Sequence, residues 1–302
     1  MATVRNHPFS KPELKILLHW IKEREAIRQR KEAQLPQTKW TNDPILRRFR
    51  FCNVNRNDDT VTRWIFGNWL LPHAGMPDLW FALVVARLLN LPSSLAAVQP
   101  ALFNRADKVM WDPDGFVTIL KALREEGNIF NAAYIVSTNG VSMDKVQYLA
   151  DRVLNPLWVA RKDAAGAMHT LDGFHKWLMS FDGLGSFMAA QVIGDLKYDP
   201  ASRLANAPDW HHWAASGPGS RRGLHRLYGR DFTKGYPEHM WRSDFGELYD
   251  YLQDGIQTER LDVGATAEVL TGQNLQNCLC EFDKYRRVQN GEGTPKQIYK
   301  PK

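Results

Sequence analysis

The sequence predicts an all-α protein on three observations. Apolar residues recur at i, i+3 and i+4 through most of the chain, the spacing of one buried helix face. Strict apolar/polar alternation is nearly absent, which disfavours a sandwich, a barrel or a doubly wound sheet. The 302 residues are 44% hydrophobic, 11% aromatic and 24% charged, so the chain has ample side chains for a core and is not disordered throughout. Eleven tryptophans offer both core indole and a stacking surface.

The first element is a basic helix over Lys11–Glu32. Residues 1–50 hold twelve Lys and Arg against five Asp and Glu, a local charge of +7 in a chain whose net charge is +6. A basic arm on a near-neutral body suits a polyanionic partner; a helix whose charges merely keep it soluble is the alternative. A linker over 34–42 follows. Asp58 or Asp59 is placed to cap a helix carrying Val61, Trp64, Ile65 and Trp69, and Leu79, Leu83, Val84 and Leu88 repeat the pattern before Pro92. Asp112-Pro113 opens a helix through Glu126, with Gly127 just past its end. Further helices are expected over 144–160, 171–179, 187–196, 223–228, 244–252 and 275–288. The expected organisation is a basic helical extension over 1–43, one main domain over 44–289 and a mobile polar tail over 290–302.

Cys52, Cys278 and Cys280 are too few for a disulfide framework and lack the paired clusters of a structural zinc site, so a reduced, intracellular setting is expected. The N-terminus has no apolar signal core, and the longest apolar run, 79–91, contains Arg87 and is too short to span a bilayer.

Four segments can carry chemistry. In the first, Phe181-Asp182-Gly183-Leu184-Gly185-Ser186-Phe187, two glycines let the chain turn tightly between helices and Ser186 can cap the second helix. Exposed N–H groups of such a hairpin suit one DNA phosphate, and a plain helix–helix turn is the alternative. The second segment runs from Asp209-Trp210-His211-His212-Trp213 to Gly217-Pro218-Gly219-Ser220-Arg221-Arg222-Gly223. Glycines leading into two arginines suit a phosphate or pyrophosphate, although the G-K-[ST] ending of a Walker loop is absent. A Gly-Pro turn with solvated arginines is the other reading. Adjacent His211 and His212 diverge and are poor joint ligands, so no metal site is expected. Asp209 reads as a functional carboxylate or a helix cap. The third segment, 49–64, crowds Asn53, Arg56 and Asp59 into one helix entrance, as a substrate wall or a junction of caps and ion pairs. In the fourth, 274–286, Asn277, Glu281 and Lys284 share one helix face, as pocket lining or as an exposed ion-paired surface.

The hairpin pattern resembles that of the DNA glycosylase superfamily, which grips duplex DNA while a base is flipped into a pocket. Phe187 stands where bifunctional members carry a Schiff-base lysine. The whole series, F-x-F-C-N-V-x-R-x-D-D, the segment 131–137, F-D-G-L-G-S-F, D-W-x-x-W-x-x-x-G-P-G-S-R-R-G-L and L-C-E-F-D-K-Y, resembles the α-glutamyl/putrescinyl thymine pyrophosphorylase family, also described as amino acid:DNA transferases of bacteriophage thymine hypermodification. The resemblance implies a helical, glycosylase-like fold. It also implies an enzyme that transfers an amino acid or polyamine amine onto the methylene of pyrophosphorylated 5-hydroxymethyluracil in double-stranded DNA, with pyrophosphate released. The implied setting is the cytoplasm of a phage-infected bacterium.

On that resemblance Arg221, Arg222, Gly217 and Gly219 are expected at the pyrophosphate, and Gly183, Gly185 and Ser186 at a DNA phosphate. Asp209 and then Asp195 are the candidates for general base, while Asn53, Arg56, Asp59, Glu281 and Lys284 contact the uracil edge or the amine. No cofactor is required; a Mg²⁺ ion bridging pyrophosphate oxygens is compatible with this chemistry. A monofunctional DNA glycosylase and a non-catalytic DNA-binding module are the alternative functions.

Overall fold

A computed structural model of the chain describes residues 8–132 and 136–299. Residues 133–135 of the expected motif over 131–137 therefore lie outside the described residues. The described residues form helices α1 (Lys11–Glu32), α2 (Pro44–Arg48), α3 (Thr60–Ile65), α4 (Leu79–Leu89), α5 (Pro92–Val98), α6 (Pro113–Glu126) and α7 (Lys145–Tyr148). These are followed by α8 (Asn155–Val159), α9 (Ala164–Ala167), α10 (Leu171–Met179), α11 (Ser186–Leu196), α12 (Pro218–Leu227), α13 (Glu238–Gln257) and α14 (Gly272–Gln289). The fold is all-α; among the described residues the β structure is one isolated antiparallel bridge, Phe49 to Ile298. No helix of the described residues is long and apolar enough to cross a membrane.

The chain forms two units. The first joins residues 1–59 to 214–302, and the second is the continuous stretch 60–213. This corrects the expected boundary at residue 43. Helix α1 is no appendage: Leu17, Trp20, Ile21 and Ile27 are buried in the core of the first unit with Phe51, Trp241, Leu248, Leu279 and Phe282. Its charged flank is tied down as well, with Glu13 accepting Arg286 Nη2 at 2.6 Å and Nε at 2.9 Å. The tail over 290–302 is not loose along its described part. Tyr299 N donates to Arg48 O at 2.9 Å, Arg50 N donates to Gln297 O at 3.1 Å, and Glu292 pairs with Arg226.

In the second unit every residue of α4 is buried, as expected of a helix apolar all round. Phe81 meets the rings of Trp111 and Trp158, and Trp80 meets Phe174 and Trp177 edge-on, so much of the tryptophan content is core. Asp112 caps α6 through Gly115 N at 2.9 Å, as its position before Pro113 predicts. The helix expected over 144–160 is broken between α7 and α8 by a π turn, Leu149–Leu154. Pro156, which has no N–H to donate, follows it; the wider turn fits the proline into the run.

Candidate functional site

The second unit holds the hairpin. Helices α10 and α11 are joined by residues 180–185, with Leu184 buried as the anchor of the turn. Gly183 has φ +80°, and a Cβ there would sit 2.6 Å from Val153 Cγ2, so both backbone sign and space demand glycine. Gly185 is the N-cap of α11 and has open space where a Cβ would project. Ser186 does not cap α11, contrary to expectation. It is the first helical residue, and its hydroxyl lies 3.3 Å from His175 Nε2, which also lies 3.0 Å from Ser186 O. The turn therefore leaves the first backbone N–H groups of α11 beside an unobstructed glycine.

Asp209 caps a helix remote in sequence. Leu171 N donates to its Oδ1 at 2.8 Å and Asp172 N to its Oδ2 at 3.0 Å, while Thr170 Oγ1 accepts from Gly173 N at 2.9 Å. A carboxylate on those free N–H groups also opposes the positive end of α10. Trp210 Nε1 donates to Lys197 O at 3.0 Å, and Lys197 Nζ lies 4.1 Å over the Trp210 ring, which fixes the Asp-Trp-His-His-Trp segment to the end of α11. His211 and His212 are exposed.

Asp195 occupies a different environment. Its two oxygens take Arg87 Nε at 2.5 Å and Nη2 at 2.6 Å, and the pair is 0% and 1% exposed. Arg87 also donates to Thr62 Oγ1 and Asn90 Oδ1. A carboxylate held in a bidentate pair out of reach of solvent joins α4 to α11, so Asp195, the second candidate for general base, has both oxygens engaged by Arg87.

In the first unit α14 is the scaffold, and its two flanks gather most of the remaining expected residues. One flank holds the loop 50–58. Asn274 Oδ1 accepts Arg56 N at 3.1 Å, Asn277 Nδ2 donates to Asn53 O at 3.2 Å, and Glu281 Oε2 accepts Cys52 N at 2.9 Å. Lys284 pairs with Glu281 at 2.6 Å and stands 4.7 Å over the Phe51 ring. From the opposite side buried Arg24 donates to Cys52 O at 2.9 Å and to Asn53 Oδ1. Burial pulls the Arg24 guanidinium below its usual pKa, against the pull of nearby acidic groups including Glu281. Asn53 Nδ2 in turn donates to Asp58 O at 2.9 Å. Asp59 is exposed at the end of this loop. Glu281, expected on an exposed or pocket-lining face, is buried and largely engaged in holding the loop.

The other flank of α14 meets α12. This helix begins at Pro218, five residues earlier than expected, because proline suits the first helical position and Ser220 closes the turn: Gly217 N donates to Ser220 Oγ at 3.0 Å, and that hydroxyl donates to Gly217 O. The two inner glycines serve close packing. A Cβ on Gly219 would meet Cys280 at 3.1 Å, and one on Gly223 would meet the backbone Leu279 O at 2.5 Å. Cys280 accepts the backbone N–H of Ser220, while burial and Glu281 push its thiol up to about 12. The side-chain face of Gly219 therefore belongs to α14.

The arginines of α12 differ. Arg221 Nη1 donates to Tyr236 O at 2.7 Å, and its Nη2 reaches Ser216 Oγ and Glu238 at 2.8 and 2.7 Å. Among the described residues Arg222 donates its Nε to buried Asp283 at 2.7 Å and makes no bond through its Nη groups, and its side chain is 41% exposed, so the Nη pair can meet an external anion. Asp283 also holds Arg226 Nε at 2.9 Å. Neither Arg24 nor Asp283 was among the expected functional residues. Asp283 stands within the L-C-E-F-D-K-Y motif, where its i+2 distance from Glu281 signalled a different flank.

The structure thus brings Asn53, Arg56, Glu281 and Lys284 together on one flank of α14 and Gly217, Gly219, Arg221 and Arg222 on the other. Gly183, Gly185, Ser186, Asp195 and Asp209 belong to the second unit. Among the described residues no three His, Cys, Asp or Glu side chains cluster as metal ligands. No curated protein and no solved structure matches the chain. The family described as 5-hmdU DNA kinase, helical domain, matches residues 11–294, and the chain belongs to that family.

Proposed function

We propose that the chain is a DNA-modifying transferase that joins an amino acid or polyamine amine to pyrophosphorylated 5-hydroxymethyluracil in DNA. The observation that carries the reading is Arg222. Its Nε is fixed by buried Asp283, while its exposed Nη pair presents a two-donor fork from the second turn of α12, suited to a departing pyrophosphate. The family's tie to hydroxymethyluracil DNA supports the substrate, and the absence of a Walker sequence in the chain speaks against its performing the phosphorylation itself.

In this reading the amine nitrogen, after losing a proton, attacks the exocyclic methylene carbon. The C–N bond forms as the C–O bond to pyrophosphate breaks, and the nitrogen's second proton passes to a carboxylate. Arg222, with Arg221 behind it and the α12 N-terminus at Gly217 and Gly219, stabilises the leaving charge. Asn53, Arg56, Glu281 and Lys284 lie on the flank of α14 opposite Arg222, so with Asp59 they are assigned to the amine's approach or the neighbouring DNA and not to the leaving group. Gly183, Gly185 and Ser186 hold a DNA phosphate at the start of α11. A Mg²⁺ ion on the pyrophosphate would need only one or two protein carboxylates.

The test is nucleoside mass spectrometry of DNA bearing pyrophosphorylated hydroxymethyluracil after incubation with the chain and a pool of amines. An amine adduct with pyrophosphate released is expected, and Arg222→Ala should slow its formation about 100-fold. Full turnover by that variant would refute the leaving-group role. The family match favours a second reading, a non-catalytic DNA-binding domain that serves a kinase; unchanged nucleosides with tight DNA binding would select it, and free base with abasic sites would select a glycosylase.

A further inference from the structure

We infer that the first unit carries a second DNA contact, a cationic surface around Tyr299 that takes the phosphate backbone of duplex DNA. The site is built where the tail returns to the start of the domain. Residues 48–50 pair with 297–299 through the Phe49–Ile298 bridge. That pairing sets Tyr299 against Trp40, their ring centroids 5.6 Å apart. Lys31 Nζ donates to the Tyr299 hydroxyl at 2.8 Å and lies 4.4 Å over its ring and 4.5 Å over that of Trp40, and Arg50 stands 5.4 Å over Tyr299. Arg48 and Arg50 flank buried Phe49 and are exposed with Arg47, Lys39 and Lys296.

The charge at this place is unbalanced. Among the described residues none of these six cations forms a salt bridge. The acids nearest in sequence are engaged elsewhere: Glu23 with Arg30, Glu32 with Arg28, and Asp43 with His19 and the Tyr285 hydroxyl. Most other arginines of the unit, such as Arg28, Arg221, Arg226, Arg230 and Arg286, are ion-paired. Cations already cover the Tyr299 ring, so the aromatics hold positive charge in place instead of stacking bases. Such a surface recognises a polyanion by charge, without reading sequence. The choice of DNA as the polyanion rests on the DNA substrate of the proposed function; the contact itself needs neither the amine nor the pyrophosphate.

The experiment uses the full chain and an unmodified 20-base-pair duplex, with binding followed by fluorescence anisotropy across salt concentrations. Arg47→Ala/Arg48→Ala/Arg50→Ala should weaken binding at least tenfold at about 100 mM salt, and lower the slope of log K against log salt by about 2 to 3. The corresponding triple lysine variant should restore most of the affinity, and Tyr299→Leu should weaken binding less than the triple alanine variant. Wild-type affinity and slope in a triple alanine variant with an unchanged circular dichroism spectrum would overturn the inference. Equal loss in the lysine variant would overturn it too, since charge would not then be the cause. A triple alanine variant that loses binding to phosphatidylserine vesicles but not to DNA would assign the surface to membranes and likewise overturn it. The expected binding results without any amine adduct in the mass spectrometry would uphold this contact while refuting the transferase reading.

Discussion

Replacing Asp195 with asparagine should destabilise the second unit by about 3–5 kcal/mol, the cost of leaving a buried charge without its partner. The setting calls for the upper part of that range. Asp195 is 0% exposed, both its oxygens take charge-assisted bonds from Arg87 at 2.5 and 2.6 Å, and Arg87 is itself only 1% exposed. In a unit of this size each kcal/mol lowers the melting temperature by about 2–4 °C, so a fall of about 8–20 °C is expected by differential scanning calorimetry. The double variant Arg87→Met/Asp195→Val, which removes both charges at nearly constant volume, should recover part of that loss, the remainder reflecting the buried Thr62 and Asn90 oxygens that lose their Arg87 donor. A shift below about 3 °C for Asp195→Asn would refute the structural assignment. If the same variant also lost turnover while its melting stayed unchanged, Asp195 would return as a candidate base.

Gly223→Ala places a methyl group 2.5 Å from a backbone carbonyl that cannot rotate away, so it should cost about 3 kcal/mol in urea unfolding, whereas Gly229→Ala, with nothing near its Cβ, carries only the strain of its positive φ. Asp209→Ala should cost about 1–2 kcal/mol through loss of the α10 cap, and Asp209→Asn less, since one amide oxygen still accepts; a loss of turnover in Asp209→Asn far beyond its loss of stability would mark the charge as chemically active. The Asp43 carboxylate is raised by burial but more strongly held down by Leu46 N, the Tyr285 hydroxyl, His19 and Ile45 N, and so ends below the usual carboxylate range. A depressed folded pKa contributes stability above about pH 4 that is lost as the pH falls through the folded value; wild type should therefore lead Asp43→Asn at pH 6 in urea unfolding, and the lead should close in more acidic buffer.

Much of the helical framework was legible in the sequence because it is local. The span of α1, the Asp112 cap and the Gly183 turn each follow from residues within a few positions of one another. The start of α12 was missed because Gly217-Pro218-Gly219 reads as a loop, and only the Ser220 bonds to Gly217 and the close approach of Leu279 reveal a helix packed by its glycines. The charge of α1 masked its buried stripe, since Trp20 and Ile21 stand among lysines and glutamates. The site itself was half legible. Residue types and motif order pointed to Asn53, Arg222 and Glu281, but the partners that decide their roles, Arg24 and Asp283, lie 29 and 61 residues away in two of those cases and carry no sequence mark of the pairing. Asp209 was read as a functional carboxylate or a cap, but the helix it caps, α10, lies some 37 residues away, and nothing near Asp195 in sequence marks Arg87 as its partner.

The discontinuity of the first unit has a consequence for how the protein is made. Its α1 and the 50–58 loop are synthesised first, yet the surfaces they need, α12 to α14, follow some 200 residues later; Cys52 and Glu281, for example, are separated by 229 positions. At translation rates of about 5–20 residues per second, Trp20, Phe51 and their neighbours wait on the order of ten to fifty seconds without their final cover. The uninterrupted stretch 60–213 has no such delay and can close on itself meanwhile. The charges of α1 favour the solubility of that waiting segment, and α14 completes the first unit once it has been synthesised.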